Sequence, residues 1–186
     1  MSRRHPEVMF APVRTALEIQ QVVVLAQQIW TEHYVPIIGQ SQVQYMLENF
    51  QSEAAISEQI AQGHEYFLAM TPGQSPGLDH CVPMGYMDIV GQPESNKLFL
   101  SKLYVVAAAR GSGIGRNMFD FAVKMLRQRK LQTLWLTVNK FNPSLDVYLH
   151  WGMINTGSVV KAIGAGFVMD DYLLELAVPN AIQNEN

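Results

Sequence analysis

From Leu98 to Leu126 the chain passes from a strand pattern through a glycine-rich turn into a helix pattern, without interruption. Leu98-Phe99-Leu100-Ser101-Lys102-Leu103-Tyr104-Val105-Val106 reads as a strand, and Ala107-Ala108-Ala109 leads into Arg110-Gly111-Ser112-Gly113-Ile114-Gly115. Glycine removes the side chain where backbone must wrap an anion, and a following helix aims free N–H groups and the positive end of its dipole at the same point. A strand, turn and helix in this order form a seat for a pyrophosphate. The competing reading is a tight strand-to-helix turn whose glycines serve backbone geometry alone.

Three phosphate-loop patterns are distinguishable by spacing. A Walker loop needs a Gly-Lys-Ser/Thr ending, and no glycine here leads into one. A dinucleotide fingerprint needs its third glycine three residues after the second, with an acidic residue about 20 residues further on. Here Gly115 follows Gly113 by two, and that acidic residue is missing. The pattern that fits is Val-x4-Arg/Gln-Gly-x-Gly-x-Gly/Ala, met by Val105, Arg110, Gly111, Gly113 and Gly115.

Of 186 residues, 48% are hydrophobic and 16% charged, with a net charge of −3, which places the chain among globular proteins of one domain. The basic residues form no long run, which argues against a nucleic-acid binder. With one cysteine, Cys81, no internal disulfide forms, and a packed or half-exposed thiol is the plainer reading than a catalytic one. No apolar run approaches the about 20 residues that span a bilayer, and Ser2-Arg3-Arg4-His5-Pro6-Glu7 lacks a signal peptide's apolar stretch. The expectation is a cytoplasmic protein with no membrane partner, no nucleic-acid partner and no metal.

Periodicity orders the elements. A short strand covers 8–13. Thr15 and Glu18 open a capping box for a helix running to Trp30, broken by Pro36 and Gly39. Helices follow over 41–50 and 52–62. Strands cover 66–70, 82–90 and 98–106, with a loop over 71–80 and Gly85 marking a bulge. A helix over 113–130, a strand over 133–138, a helix over 143–151 and strands over 155–161 and 166–178 complete the order. Residues 180–186 read as a frayed tail of one domain spanning 1–186. The pattern predicts an α/β fold, a mixed sheet with helices on both faces.

The glycine pattern resembles the acetyl-CoA loop of the GNAT superfamily of N-acetyltransferases, and the order of elements is similar to theirs over nearly the whole chain. Leu134-Trp135-Leu136-Thr137-Val138-Asn139 with Asn142-Pro143 resembles the family's fifth strand and the start of its fourth helix. Tyr148 with Gly152 resembles the Tyr-x-x-x-Gly-Phe element, with Met153 in place of Phe; Asn142 stands six residues before Tyr148 where the family has seven. Trp30-x-x-His33-Tyr34, Ile37-Ile38, Tyr45-Met46-Leu47 and Gly166 to Tyr172 resemble one bacterial subgroup.

The resemblance implies a mostly antiparallel sheet of about seven strands and transfer of an acetyl group from acetyl-CoA to a primary amine. A polyamine or amino-acid derivative is the expected acceptor, because no long peptide-binding insertion is visible. A protein N-acetyltransferase and a CoA-binding module without turnover are the alternatives. The resemblance also implies a homodimer. It assigns the pyrophosphate to the backbone of Gly111, Ser112, Gly113, Ile114 and Gly115, with Arg110 adding charge or bracing the turn. It assigns the pantetheine amides to Leu103, Tyr104 and Val105, and the thiolate's proton to Tyr148. A phenol can donate there only if well placed. Asn142 is a cofactor contact or a helix cap. His33 and Tyr34 fall where the family lines its acceptor pocket, and Asp88 is a further acceptor contact. The general base is not legible: the strand before the loop carries no carboxylate, leaving Glu32, His33, Asp88 or a water chain.

Overall fold

The computed structural model describes residues 7–73 and 81–179. The tail expected over 180–186 and most of the expected loop before Cys81 lie outside them. The strands are β1 (Met9–Pro12), β2 (Glu65–Pro72), β3 (Cys81–Gln92), β4 (Lys97–Val105), β5 (Thr133–Asn139), β6 (Ile154–Gly164) and β7 (Phe167–Ala177). The helices are α1 (Ala16–Ile38), α2 (Gln40–Phe50), α3 (Glu53–Ala61), α4 (Ile114–Gln128) and α5 (Ser144–His150). The strand order is β1-β2-β3-β4-β5-β7-β6, with β4 and β5 parallel and β1-β2, β2-β3, β5-β7 and β7-β6 antiparallel. This is the mixed, mostly antiparallel seven-stranded sheet expected from the sequence.

Contacts group the chain into two compact units: residues up to Ile89 with Lys102–Asp120, and Val90–Ser101 with the chain from Phe121 onward. In the first unit α1 starts on the expected capping box, with Thr15 Oγ1 accepting from Glu18 N and Glu18 Oε2 accepting from Thr15 N at 2.8 Å. The helix continues past Trp30 to Ile38. Pro36 is tolerated in its last turn, and Gly39, at φ 83°, ends it. Proline therefore does not break the helix where its position suggested; it falls in the last turn, two residues before the end at Ile38. Val22, Leu25, Ala26, Ile29 and Trp30 of α1 are buried, as are Leu68, Tyr86, Met87 and Ile89 of the strands.

In the second unit, β5 pairs with β7 from Thr133↔Ala177 to Asn139↔Asp171, and β6 pairs with β7 around the turn at Ala165-Gly166. Leu98, Leu126, Leu134, Leu136, Val138 and Leu174 are among its buried apolar residues. Every residue of β6 from Ile154 to Ala162 is exposed.

Candidate active site

β4 leads into the glycine loop. Its register with β5 runs only over Lys97↔Thr133, Leu98↔Leu134 and Phe99↔Trp135, yet the strand continues to Val105. Backbone groups alternate direction along a strand, so Leu103 and Val105 turn theirs to the edge opposite β3. Beyond Phe99 the register with β5 no longer engages that edge. Arg110 Nε donates to Val105 O at 3.3 Å, which braces the turn.

A short 3-10 turn, Ala107–Ala109, carries the chain from β4 into the glycine loop. Gly111 and Gly113 sit at φ 76° and 96°, in the left-handed region where a side chain strains the backbone. Ser112 does not reach outward: its Oγ donates to Ala109 O at 2.6 Å. The first bond of α4 runs from Asn117 N to Gly113 O at 3.0 Å, so the N–H groups just before it have no partner within the helix. Gly115 lies inside α4, not in the turn. Left-handed glycines and a helix N-terminus together fit a diphosphate.

The first unit gathers four of the residues singled out in the sequence. Tyr34 lies edge-on to Tyr104 at 6.1 Å between centroids, His33 packs against Tyr34 at 4.9 Å, and Arg110 Nη1 is 3.5 Å from His33 Nδ1. Trp30 completes the cluster, stacked on Tyr34 and 5.7 Å from Tyr104. The end of α1 thereby meets both β4 and the glycine loop.

Asp88 is placed differently. It is fully buried, and its Oδ2 is engaged by His64 Nδ1 at 2.7 Å and by Lys102 Nζ at 3.0 Å. Lys102 Nζ also donates to Gln59 Oε1 at 2.8 Å, and Tyr66 Oη donates to the same oxygen at 2.6 Å. Burial alone would raise the Asp88 carboxyl; the His64 hydrogen bond and the Lys102 charge outweigh it and hold Asp88 below its ordinary value. Burial pushes the Lys102 ammonium down against the pull of Asp88. It also drives the Tyr66 and Tyr86 phenols well above their usual value, so neither exchanges a proton near neutrality. The Asp88 carboxylate has no exposed surface, and its Oδ1 has no hydrogen-bond partner among the described residues.

The second unit holds Asn142 and Tyr148. Asn142 is buried and its Oδ1 accepts from Ser144 N at 2.9 Å, which caps α5. Tyr148 is 9% exposed and meets Trp151 edge-on at 5.7 Å. Gly152, at φ 94°, closes the helix as Met153 N bonds Tyr148 O at 3.1 Å. Its place four residues after Tyr148 therefore has a backbone reason as well. Asp171 lies in β7 and is buried, where burial raises its carboxyl.

Sequence reasoning passed over Lys102 as a residue with chemistry. The signal was available: Leu98, Leu100 and Lys102 alternate on one buried face of β4. Among the described residues no group of three His, Cys, Asp or Glu could hold a metal, and no helix is long and apolar enough to cross a membrane.

A family model described as "Acetyltransferase (GNAT) domain" matches residues 34–169. The chain belongs to the GNAT acetyltransferases, enzymes that use acetyl-CoA. Solved structures share the fold at low identity. The PaiA N-acetyltransferase from Thermoplasma acidophilum, in complex with coenzyme A, is 13% identical with a TM-score of 0.68, covering 92% of this chain and 99% of that one. The ribosomal-protein-S18-alanine N-acetyltransferase from Escherichia coli is 14% identical at TM-score 0.64, covering 97% and 99%. The spermidine/spermine N-acetyltransferase SpeG from Vibrio cholerae is 12% identical at TM-score 0.63, covering 91% and 93%. A comparison with curated proteins returns no match.

Proposed function

We propose that this acetyltransferase acylates a primary amine on a small molecule, such as a polyamine or an amino-acid derivative. The observation that carries the reading is the open edge of β4: its register with β5 ends at Phe99↔Trp135, and left-handed glycines and the N-terminus of α4 follow. In this reading the amides of residues 111–115 bind the diphosphate of acetyl-CoA. The backbone of Leu103, Tyr104 and Val105 orients the pantetheine arm, and an N–H near Val105 polarises the thioester carbonyl. Tyr148 Oη holds the proton that the departing thiolate takes. Asn142 supports Tyr148 by capping its helix. Catalysis rests mainly on holding two reactants together, because a thioester needs little activation.

His33 and Tyr34 form the acceptor wall in this reading, and Glu32, His33 or water takes the amine's proton. Asp88 is assigned to the scaffold, since His64 and Lys102 already engage its carboxylate. The two units are read as parts of one catalytic domain because the family match runs through both. The implied homodimer is tested by sedimentation velocity.

The missing carboxylate on the open part of β4 also favours a second reading, a CoA-binding module without turnover. One experiment separates the two: CoA release measured with acetyl-CoA over a panel of polyamines, amino-acid amines and N-terminal peptides. Release with small amines supports the enzyme as proposed. Release with peptides alone moves the acceptor to proteins. Saturable binding without release over the panel supports the module.

A further inference from the structure

Within the first unit β3 carries an irregularity beside β4. In the β2–β3 register Ala69 pairs with Gly85 and Met70 with Pro83, which leaves Met84 over as the extra residue of a bulge. A Cβ placed on Gly85 would lie 2.3 Å from Tyr104 O and 3.3 Å from Val105 Cα. No side chain fits that gap, so glycine here answers to close backbone approach. The bulge also turns Met84 O to accept from Val106 N at 2.9 Å, at the point where β4 gives way to the 3-10 turn.

We propose that the Met84–Gly85 bulge is a positioning element for acetyl-CoA, setting where the free edge of β4 lies relative to the glycine loop. The inference rests on the assignment of the β4 edge to the pantetheine arm. Tyr104 turns its carbonyl to β3, while Leu103 and Val105 face the other way. Pressure on Tyr104 O therefore moves the ligand-facing groups of its neighbours. Gly85 brings the two backbones together and the Met84 bond fixes the end of β4. The glycine loop has bonds of its own, Ser112 Oγ to Ala109 O and Asn117 N to Gly113 O, beside the Arg110 Nε to Val105 O contact that ties it to β4. The bulge thus acts mainly on the pantetheine half of the coenzyme.

The test compares calorimetric affinities of two probes: acetyl-CoA, and its nucleotide half, adenosine 3′-phosphate 5′-diphosphate. Gly85→Ala is expected to weaken acetyl-CoA by roughly ten-fold or more, because small misplacements of bound groups cost that much. Its affinity for the nucleotide half is expected to match the parent's. Val106→Pro removes the N–H that Met84 O accepts and sets a ring carbon against that oxygen, at a residue whose φ of −57° suits proline. It is expected to weaken acetyl-CoA about five-fold, the worth of one net hydrogen bond, again without effect on the nucleotide half. Parent-like affinity for acetyl-CoA in either folded variant overturns the proposal, as does an equal loss of both probes. If Gly85→Ala does not fold, Val106→Pro decides alone. A parent that binds neither probe defeats the acetyl-CoA reading itself, and the proposal with it.

Discussion

At its first end β4 is tied to its neighbours: Lys97, Leu98 and Phe99 pair with β5, and Lys97 Nζ meets Glu175 Oε1 at 2.6 Å with both side chains about a third exposed. Further along, the strand buries Lys102 against Asp88 and then presents Leu103, Tyr104 and Val105 before the glycine loop. One strand thus carries two ion pairs in opposite settings. The exposed pair is screened by water and contributes about 0–1 kcal/mol. The buried pair has given up its hydration, so neither partner can be removed without stranding the other.

Lys102→Met probes the largest difference. It leaves Asp88 with only His64 in a site closed to solvent, and the expected loss is about 3–5 kcal/mol in urea unfolding. Adding Asp88→Leu is expected to recover most of it; failure to recover would mean that the network holds α3 by Gln59 more than by charge. The pH dependence has a definite sign. A carboxyl held below its ordinary value of 3.8 stabilises the fold above that pH, and the stability is lost as pH falls through the lowered value. In Lys102→Met the carboxyl is lowered less, so the loss of stability on acidification should be smaller than in the parent, read from urea midpoints across the acid range.

Tyr148→Phe addresses turnover. It is expected to lower kcat by about a hundred-fold, the low end of proton-transfer effects, with acetyl-CoA affinity unchanged. Parent-like turnover would remove the phenol from the reaction. Gly111→Val places a branched side chain at φ 76°, in open space, so its cost is backbone strain rather than collision. Acetyl-CoA binding should weaken about ten-fold, equivalent to roughly 1.4 kcal/mol, and the melting temperature should fall by a few degrees, the mark of that strain. Lys97→Met should change stability by less than about 1 kcal/mol. A loss as large as that of Lys102→Met would erase the contrast between the two settings.

The sequence disclosed the part of the molecule where chemistry and backbone geometry coincide. Gly111 and Gly113 are legible because left-handed backbone selects glycine, and the strand, turn and helix follow each other directly. The α1 capping box was legible because its partners lie three residues apart. The Lys102 network was not, because its partners come from far along the chain: Gln59 is 43 residues away and Asp88 is 14. A lysine in a strand reads as exposed until its partners are known. The extension of α1 was hidden by Pro36, which reads as a helix breaker but falls within the last turn. Gly85 could be marked as a bulge, but the carbonyl that excludes a side chain there belongs to another strand.

Titrating the folded chain with acetyl-CoA in a calorimeter tests the central claim most directly. Saturable binding at one site per chain, weakened in Gly111→Val, is the predicted result. No binding of acetyl-CoA or CoA by folded protein would contradict it.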